Sequence, residues 1–153
     1  MLLLCSLPYQ VVLADDLDLP AQSAIAVEAD TGKILYEKDS EKKRDVGGLS
    51  TLLTTYLIFE AIHEKKLSLK DPIKLSEKAL ALNDIEGAGT LPMEANQYTV
   101  EQLLTALLVG NSSTAALALA EKVGGSEKSF VEKMKKKLAE WGIQSPHLIN
   151  ATG

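Results

Sequence analysis

Two histidines and one cysteine are the side chains of this 153-residue chain best suited to chemistry near neutral pH. His63 precedes the charged stretch at residues 64–66 (EKK), where we expect a helix to end in solvent. Neither His63 nor His147 has a serine or cysteine at a spacing typical of a catalytic pair. Cys5 cannot form an internal disulfide, and no cysteine and histidine spacing indicates zinc. We therefore expect no catalytic histidine and no metal site.

Acidic residues outnumber basic ones by 21 to 16, and the formal net charge is −5. Nucleic-acid binding rests on clustered lysine and arginine, so nucleic acid is excluded as a partner. The basic runs at residues 42–44 and 135–137 are flanked by acidic residues, and we interpret both as solvated surfaces. Glu28, Asp30 and Asp39 belong to a predicted hairpin and its turns, so we assign no catalytic carboxylate pair.

That hairpin is the first predicted element. Residues 23–27 (SAIAV) and 33–38 (KILYEK) are short and β-prone, and the turn-forming sequence DTG at residues 30–32 lies between them. Residues 67–82 form a mixed segment with a turn at Asp71 and Pro72. Residues 83–96 resemble a loop.

Helices are predicted for most of the remaining chain. Residues 49–65 carry apolar side chains at a period near 3.6, and a second helix begins near Val100, where Thr99 and Gln102 form a capping-box pattern. A third helix covers residues 113–123. The predicted apolar face of the first helix is Leu49, Leu52, Leu53, Tyr56, Leu57 and Ile62.

The last predicted helix runs from a Ser126 cap to Gly142, with lysines opposite its apolar stripe. An aromatic and methionine stripe of this kind is typical of a core contact and not of a cofactor site. The stripe consists of Phe130, Met134, Leu138 and Trp141.

The first 14 residues (MLLLCSLPYQVVLA) are apolar but too short to span a bilayer. Residues 12–14 resemble a signal-peptidase site, and two aspartates follow. We expect cleavage after Ala14, an extracytoplasmic protein of Gram-positive type, and a single partial domain at residues 15–153. The positively charged start of a signal peptide is missing, so an N-terminal strand or buried helix is the alternative.

Several blocks of the chain together resemble one enzyme family. In order and in spacing, they are similar to the low-molecular-mass penicillin-binding proteins that act as serine D-alanyl-D-alanine carboxypeptidases, the peptidase S11 family. The resemblance covers the chain from about Ala24 to its end. The blocks are residues 26–39 (AVEADTGKILYEKD), 98–104 (YTVEQLL), 115–122 (AALALAEK), 125–143 and 150–153 (NATG).

The resemblance implies an α+β chain: the N-terminal portion of the serine β-lactamase and DD-peptidase (transpeptidase-like) fold. A β-hairpin would precede a mainly helical region, and the remaining sheet strands would be missing. It implies a serine acyl-transfer enzyme that removes the terminal D-alanine of the peptidoglycan pentapeptide and is acylated by β-lactams. No cofactor is implied. A peripheral membrane or cell-wall association is expected.

The family's chemistry uses three motifs, Ser-x-x-Lys, Ser-x-Asn and a later Lys-Thr-Gly. The family pattern Ala-Ser-x-Thr-Lys-Leu-x-Thr aligns without a gap to residues 47–54 (GGLSTLLT). The nucleophile position therefore falls on Gly48 and the lysine position on Thr51. Ser50 is the hydroxyl that could substitute, but on a helix it points roughly 200° away from position 48. We interpret Ser50 as structural.

The second motif is also altered. The gapless register places Ser-x-Asn on residues 111–113 (NSS), so Asn111 stands for the serine and Ser113 for the asparagine. A shifted register on residues 109–111 (VGN) would keep the asparagine, but it needs a two-residue insertion and still lacks the serine. The sequence contains no Lys-Thr-Gly, which the family places beyond residue 153.

These positions lead to three hypotheses. The first is a truncated, substituted and inactive relative of the carboxypeptidases. The second is a non-catalytic module that binds peptidoglycan or a cell-wall enzyme. The third is a fragment of a longer reading frame.

Overall fold

A computed structural model of the chain describes residues 19–45, 47–85, 91–143 and 148–152. The chain divides into two units, Met1–Asp45 and Val46–Gly153. The sequence analysis expected a single domain at residues 15–153. The predicted signal segment, Cys5 and His147 lie outside the described residues.

The first unit contains the predicted hairpin. Strands β1 (Ala24–Val27) and β2 (Ile34–Lys38) pair antiparallel, with Ala24 opposite Lys38 and a bulge after Ala26. No side chain at residues 19–45 is fully buried. The hairpin prediction is confirmed.

The second unit is mainly helical. A 3-10 turn at Gly47–Leu49 leads into α1, and a short helix α2 follows further along the chain. The predictions of α1 and of the three later helices are confirmed, together with the α+β class. The helices are α1 (Ser50–His63), α2 (Glu77–Ala81), α3 (Val100–Gly110), α4 (Ser113–Gly124) and α5 (Glu127–Glu140).

Side-chain caps fix where these helices begin. Thr99 and Gln102 form the predicted capping box of α3, because the Thr99 hydroxyl accepts the Gln102 N–H and the Gln102 side chain accepts the Thr99 N–H. Ser112 caps α4 and Ser126 caps α5 in the same manner, by accepting the N–H three residues on. Short polar residues thus set these boundaries locally.

A second small sheet was not predicted. Strand β3 (Pro72–Lys74) pairs antiparallel with β4 (Gln97–Thr99), so that Ile73 lies opposite Tyr98. Both strands have three residues, which is too short to produce a recognisable alternation of apolar and polar side chains. The pairing joins segments that the sequence analysis had interpreted as a mixed segment and a loop boundary.

The core of the second unit is formed where α1, α3, α4 and α5 pack together. Helix α4 lies at its centre, because it packs against α1, α2, α3 and α5 and residues 114–120 are all buried. The largest fully buried apolar side chains are Phe130, Ile58, Leu103, Leu117, Leu119, Met134 and Val100.

The predicted apolar face of α1 was wrong in part. Leu53 and Leu57 are buried as expected, but Leu49, Leu52 and Tyr56 are 62%, 60% and 44% exposed. The buried stripe lies on the side of α1 that packs against α4 and α5. Because α1 is apolar on nearly all sides, its periodicity could not identify this stripe. Its unpredicted members include Ile58 and Ala61.

Trp141 also differs from the prediction. Phe130 and Met134 belong to the core, whereas Trp141 follows the end of α5 and is 47% exposed. Its ring meets the Tyr56 ring edge-on at a centroid distance of 4.8 Å. Among the described residues, none of the helices has the length and apolar composition needed to cross a bilayer.

Candidate functional site

The two positions that the sequence analysis aligned with the family's first motif lie at the start of α1, Gly48 in the preceding 3-10 turn and Thr51 in the first turn of the helix. Gly47 has φ +49°, in the left-handed region that favours glycine, and the 3-10 turn formed with Gly48 and Leu49 leads directly into Ser50. Alanine, the residue of the family pattern at position 47, adopts this conformation at a cost of about 1–2 kcal/mol. Glycine at position 47 therefore allows the backbone to enter α1 without this cost.

Gly48 and Thr51 lie one helical turn apart, as the motif spacing requires. Gly48 has no side chain, and the Thr51 hydroxyl donates a hydrogen bond to the Gly48 carbonyl oxygen at 2.5 Å. A Cβ atom added at Gly48 would meet no other atom within 4 Å. Crowding among the described residues therefore does not explain why serine is absent from this position.

Ser50 is directed away from this pair. Its side chain is buried, and its hydroxyl donates to the Gly47 carbonyl oxygen at 3.0 Å. A nucleophilic hydroxyl needs a neighbouring group that removes its proton. The Ser50 hydroxyl instead bonds the Gly47 backbone carbonyl, a contact that stabilises the turn before α1.

The second motif lies at the junction of α3 and α4. Asn111 ends α3 in the left-handed conformation, with φ 48° and ψ 39°, and its side chain is exposed. Ser112 is buried and caps α4, and Ser113 is the first residue of that helix. Asparagine tolerates left-handed backbone better than most residues, so Asn111 suits the turn between the two helices.

The shifted register would use residues of α3 itself. Val109 is 84% exposed and lies within the helix, and Gly110 is the last residue of α3. In this register Val109 stands at the serine position and Gly110 at the intervening one, so the register supplies no hydroxyl.

Taken together, the four motif positions provide no group able to act as a base near neutral pH. Gly48 offers no atoms for chemistry, and Thr51, Asn111 and Ser113 carry hydroxyl or amide groups. A general base in acyl transfer needs a pKa near the working pH, which neither group has. The described residues also contain no group of three or more side chains that could hold a metal ion.

A buried hydrogen bond links the first motif to the Asn-x-Thr-Gly segment near the end of the chain. Thr54, three residues after Thr51 in α1, is fully buried and donates its hydroxyl proton to the Ala151 carbonyl oxygen at 2.8 Å. The Ala151 N–H donates to Glu127 Oε1 at 3.3 Å. These bonds fasten residues 148–152 to α1 and α5.

Asn83 is a further structural residue that the sequence analysis missed. Its side chain bonds the N–H and the carbonyl oxygen of Met93 at 3.1 and 2.9 Å, and it accepts the Thr114 hydroxyl at 3.0 Å. Asn83 lies in a 3-10 turn at Leu82–Asp84 that was not predicted, and it connects this turn to Met93 and to the start of α4, beside Ser113. A single asparagine in a loop-like stretch gives no sequence signal of this role.

His63 ends α1 and is exposed, as expected from its charged neighbours. His147 lies outside the described residues. The structure therefore assembles no histidine site among the residues it describes.

Comparison with known proteins identifies the family. The sequence profile described as D-alanyl-D-alanine carboxypeptidase matches residues 10–153. The chain belongs to the D-alanyl-D-alanine carboxypeptidase family. The D-alanyl-D-alanine carboxypeptidase DacF of Bacillus subtilis is 33% identical over 133 residues, and the match covers 87% of this chain and 33% of DacF.

Solved structures of this family have the same fold. Penicillin-binding protein 3 of Streptococcus pneumoniae, described as a peptidoglycan synthesis regulatory factor, matches with a TM-score of 0.83 and 48% identity. That match covers 87% of this chain and 37% of the other. Penicillin-binding protein D2 of Listeria monocytogenes, solved with cefotaxime bound, matches with a TM-score of 0.75 and 25% identity, over 87% of this chain and 52% of its own.

The chain spans about one third of the length of the curated carboxypeptidases that it matches. DacF is covered to 33%, and DacC of Escherichia coli, which is 26% identical, is covered to 38%. The second sheet, helices α1 to α5 and the hairpin thus represent part of a carboxypeptidase-family fold.

Proposed function

We propose that this chain is a carboxypeptidase-family protein that does not form an acyl-enzyme. The observation that carries the proposal is the start of α1, where Gly48 and Thr51 align with the family's serine and lysine. Asn111 and Ser113 at the second motif support it. Losing a nucleophile or base of such a set typically lowers the rate by factors of about 100 or more.

The matching proteins suggest the setting in which the chain acts. We propose that residues 15–153 are part of a DD-peptidase domain located outside the cytoplasm, and that residues 1–14 are a signal segment. The relevant ligand is the peptidoglycan stem peptide, because the profile and the curated relatives are named for action on D-alanyl-D-alanine.

Labelling with a fluorescent penicillin tests the absence of acylation. The purified chain is incubated with the probe, denatured and examined by gel fluorescence and intact mass. We expect no covalent adduct, whereas penicillin-binding protein D2 of L. monocytogenes serves as the positive control because it was solved with a β-lactam bound. A stoichiometric adduct on this chain would contradict the proposal.

A second candidate function is that of a non-catalytic binding module. The observation favouring it is the 48% identity to the S. pneumoniae protein described as a peptidoglycan synthesis regulatory factor. Sedimentation with purified cell-wall sacculi tests it, with the heat-denatured chain as the control. Retention of the folded chain above that control is expected, and equal retention of both forms would exclude this function.

A further inference from the structure

A cleft lined by lysines lies in the second unit, away from the motif positions. It is formed by the C-terminal half of α1 with the residues after it, the end of α4, and α5, and its volume is about 360 Å³. We call it the lysine cleft. The lysines that line it are Lys66, Lys122, Lys133, Lys136 and Lys137.

The charge of the lysine cleft is opposite to that of the whole chain. Three carboxylates also line it, those of Glu60, Glu64 and Glu140, which leaves a formal surplus of two positive charges in a protein of net charge −5. A positive cleft in a negatively charged protein attracts anions to that site.

The three carboxylates are already engaged by two of the lysines. Lys137 Nζ lies 2.7 Å from Glu60 and 3.0 Å from Glu140, and Lys66 Nζ lies 2.6 Å from Glu64. The hydrogen bonds that Lys137 donates to Glu60 and Glu140 raise the pKa of Lys137 above its ordinary value, so this lysine remains charged.

The remaining three lysines have no carboxylate partner among the described residues. Lys133 Nζ donates to the Val123 carbonyl oxygen at 2.8 Å, at the end of α4. Lys122 and Lys136 are exposed at the cleft and form no ion pair with a described residue. Their ammonium groups face solvent where a ligand could reach them.

Part of the lining of the cleft is apolar. Leu57, Ala61 and Leu67 are each buried and line it. The cleft therefore combines positive charge that is not paired with a described carboxylate and a lining that is apolar in part.

The ammonium groups of the lysines determine which kind of anion the cleft can bind. A lysine ammonium is a point charge with three donors and binds phosphate oxygens from any direction, whereas arginine binds phosphate and carboxylate alike through its planar fork. The single arginine of the chain, Arg44, lies in the first unit. We propose that the lysine cleft binds a phosphate group through Lys122 and Lys136.

The test compares two double variants that change charge equally. In Lys122→Gln/Lys136→Gln the proposed donors are removed, whereas Lys128→Gln/Lys135→Gln removes two lysines of α5 that do not line the cleft. Binding of inorganic pyrophosphate to the full chain is measured by calorimetry, at two salt concentrations. We expect the first variant to bind about tenfold more weakly and the second to bind as the unmodified chain does.

A second arm distinguishes a soluble phosphate from a lipid headgroup. Cosedimentation of the chain with phosphatidylglycerol vesicles, compared with phosphatidylcholine vesicles, shows whether the phosphate of a lipid headgroup is bound. Loss of this vesicle binding in Lys122→Gln/Lys136→Gln, but not in Lys128→Gln/Lys135→Gln, would also support the proposed site. Equal weakening in both double variants, or no binding of either probe, would overturn the proposal. Changes in the amide NMR chemical shifts of the unmodified chain on addition of pyrophosphate give an independent readout. Changes confined to residues outside the lysine cleft would also overturn the proposal.

Discussion

At the scale of single residues, the proposal that this chain forms no acyl-enzyme rests on four positions, Gly48, Thr51, Asn111 and Ser113. Gly48 lies in open space, so a serine could be accommodated there without displacing a described neighbour. The Thr51 hydroxyl points back to the Gly48 carbonyl oxygen. The start of α1 therefore has a glycine and a threonine at the two positions that the proposed alignment assigns to the serine and the lysine.

The residue with the most demanding surroundings in this region is Thr54. It is fully buried, and its hydroxyl satisfies the Ala151 carbonyl oxygen over a sequence separation of 97 residues. Removing the donor would leave a buried carbonyl without this partner.

We expect Thr54→Val to lower the free energy of unfolding by about 1–3 kcal/mol, because an unsatisfied buried polar group costs that much. The matched control is Thr105→Val, whose exposed hydroxyl bonds the Glu101 carbonyl within α3. Urea unfolding followed by circular dichroism measures both. Similar values for the two variants would show that the Ala151 bond does not contribute.

At the scale of elements, α4 and α5 approach each other closely at the turn between them. A Cβ atom at Gly124 would lie 2.7 Å from the Phe130 Cβ atom and 2.8 Å from the Phe130 nitrogen. The nitrogen belongs to the backbone of α5, so it cannot rotate away. Glycine at this position is required by the helix packing and not by its own φ.

Gly124→Ala is therefore expected to destabilise the second unit by about 1–3 kcal/mol, because overpacking forces backbone shifts. Lys128→Ala, an exposed substitution on α5, is the control and should change stability by less than about 0.5 kcal/mol. Thermal and urea unfolding would reveal the difference. An unchanged midpoint for Gly124→Ala would mean that the two helices can separate at little cost.

At the scale of the whole molecule, burial is divided unequally between the two units. Every buried side chain among the described residues belongs to the second unit, and the hairpin of the first unit has none. A two-stranded hairpin by itself is only marginally stable in water.

We expect a protein of residues 47–153 to unfold cooperatively, because it contains the whole described core. A peptide of residues 19–45 should show no cooperative transition. Heating both while recording circular dichroism provides the measurement. A non-cooperative melt of residues 47–153 would show that its core depends on residues outside it.

Whether a feature of this protein can be predicted from its sequence depends on how far apart in the chain the residues that form it lie. The sequence by itself determined the family, the hairpin, α1 and the later helices, and it is also the source of the proposed alignment of Gly48, Thr51, Asn111 and Ser113 with the family's motifs. Side-chain identity, helix caps such as Thr99 with Gln102, and the three-residue motif spacing are all local properties of the chain.

Only the tertiary structure decided which side of α1 is buried, because α1 is apolar nearly all round and its partners α4 and α5 come much later in the sequence. The pairing of β3 with β4, the bonds of Thr54 and Asn83, and the lysine cleft likewise join residues far apart in the chain. Such contacts form only when the helices pack, so no local pattern specifies them.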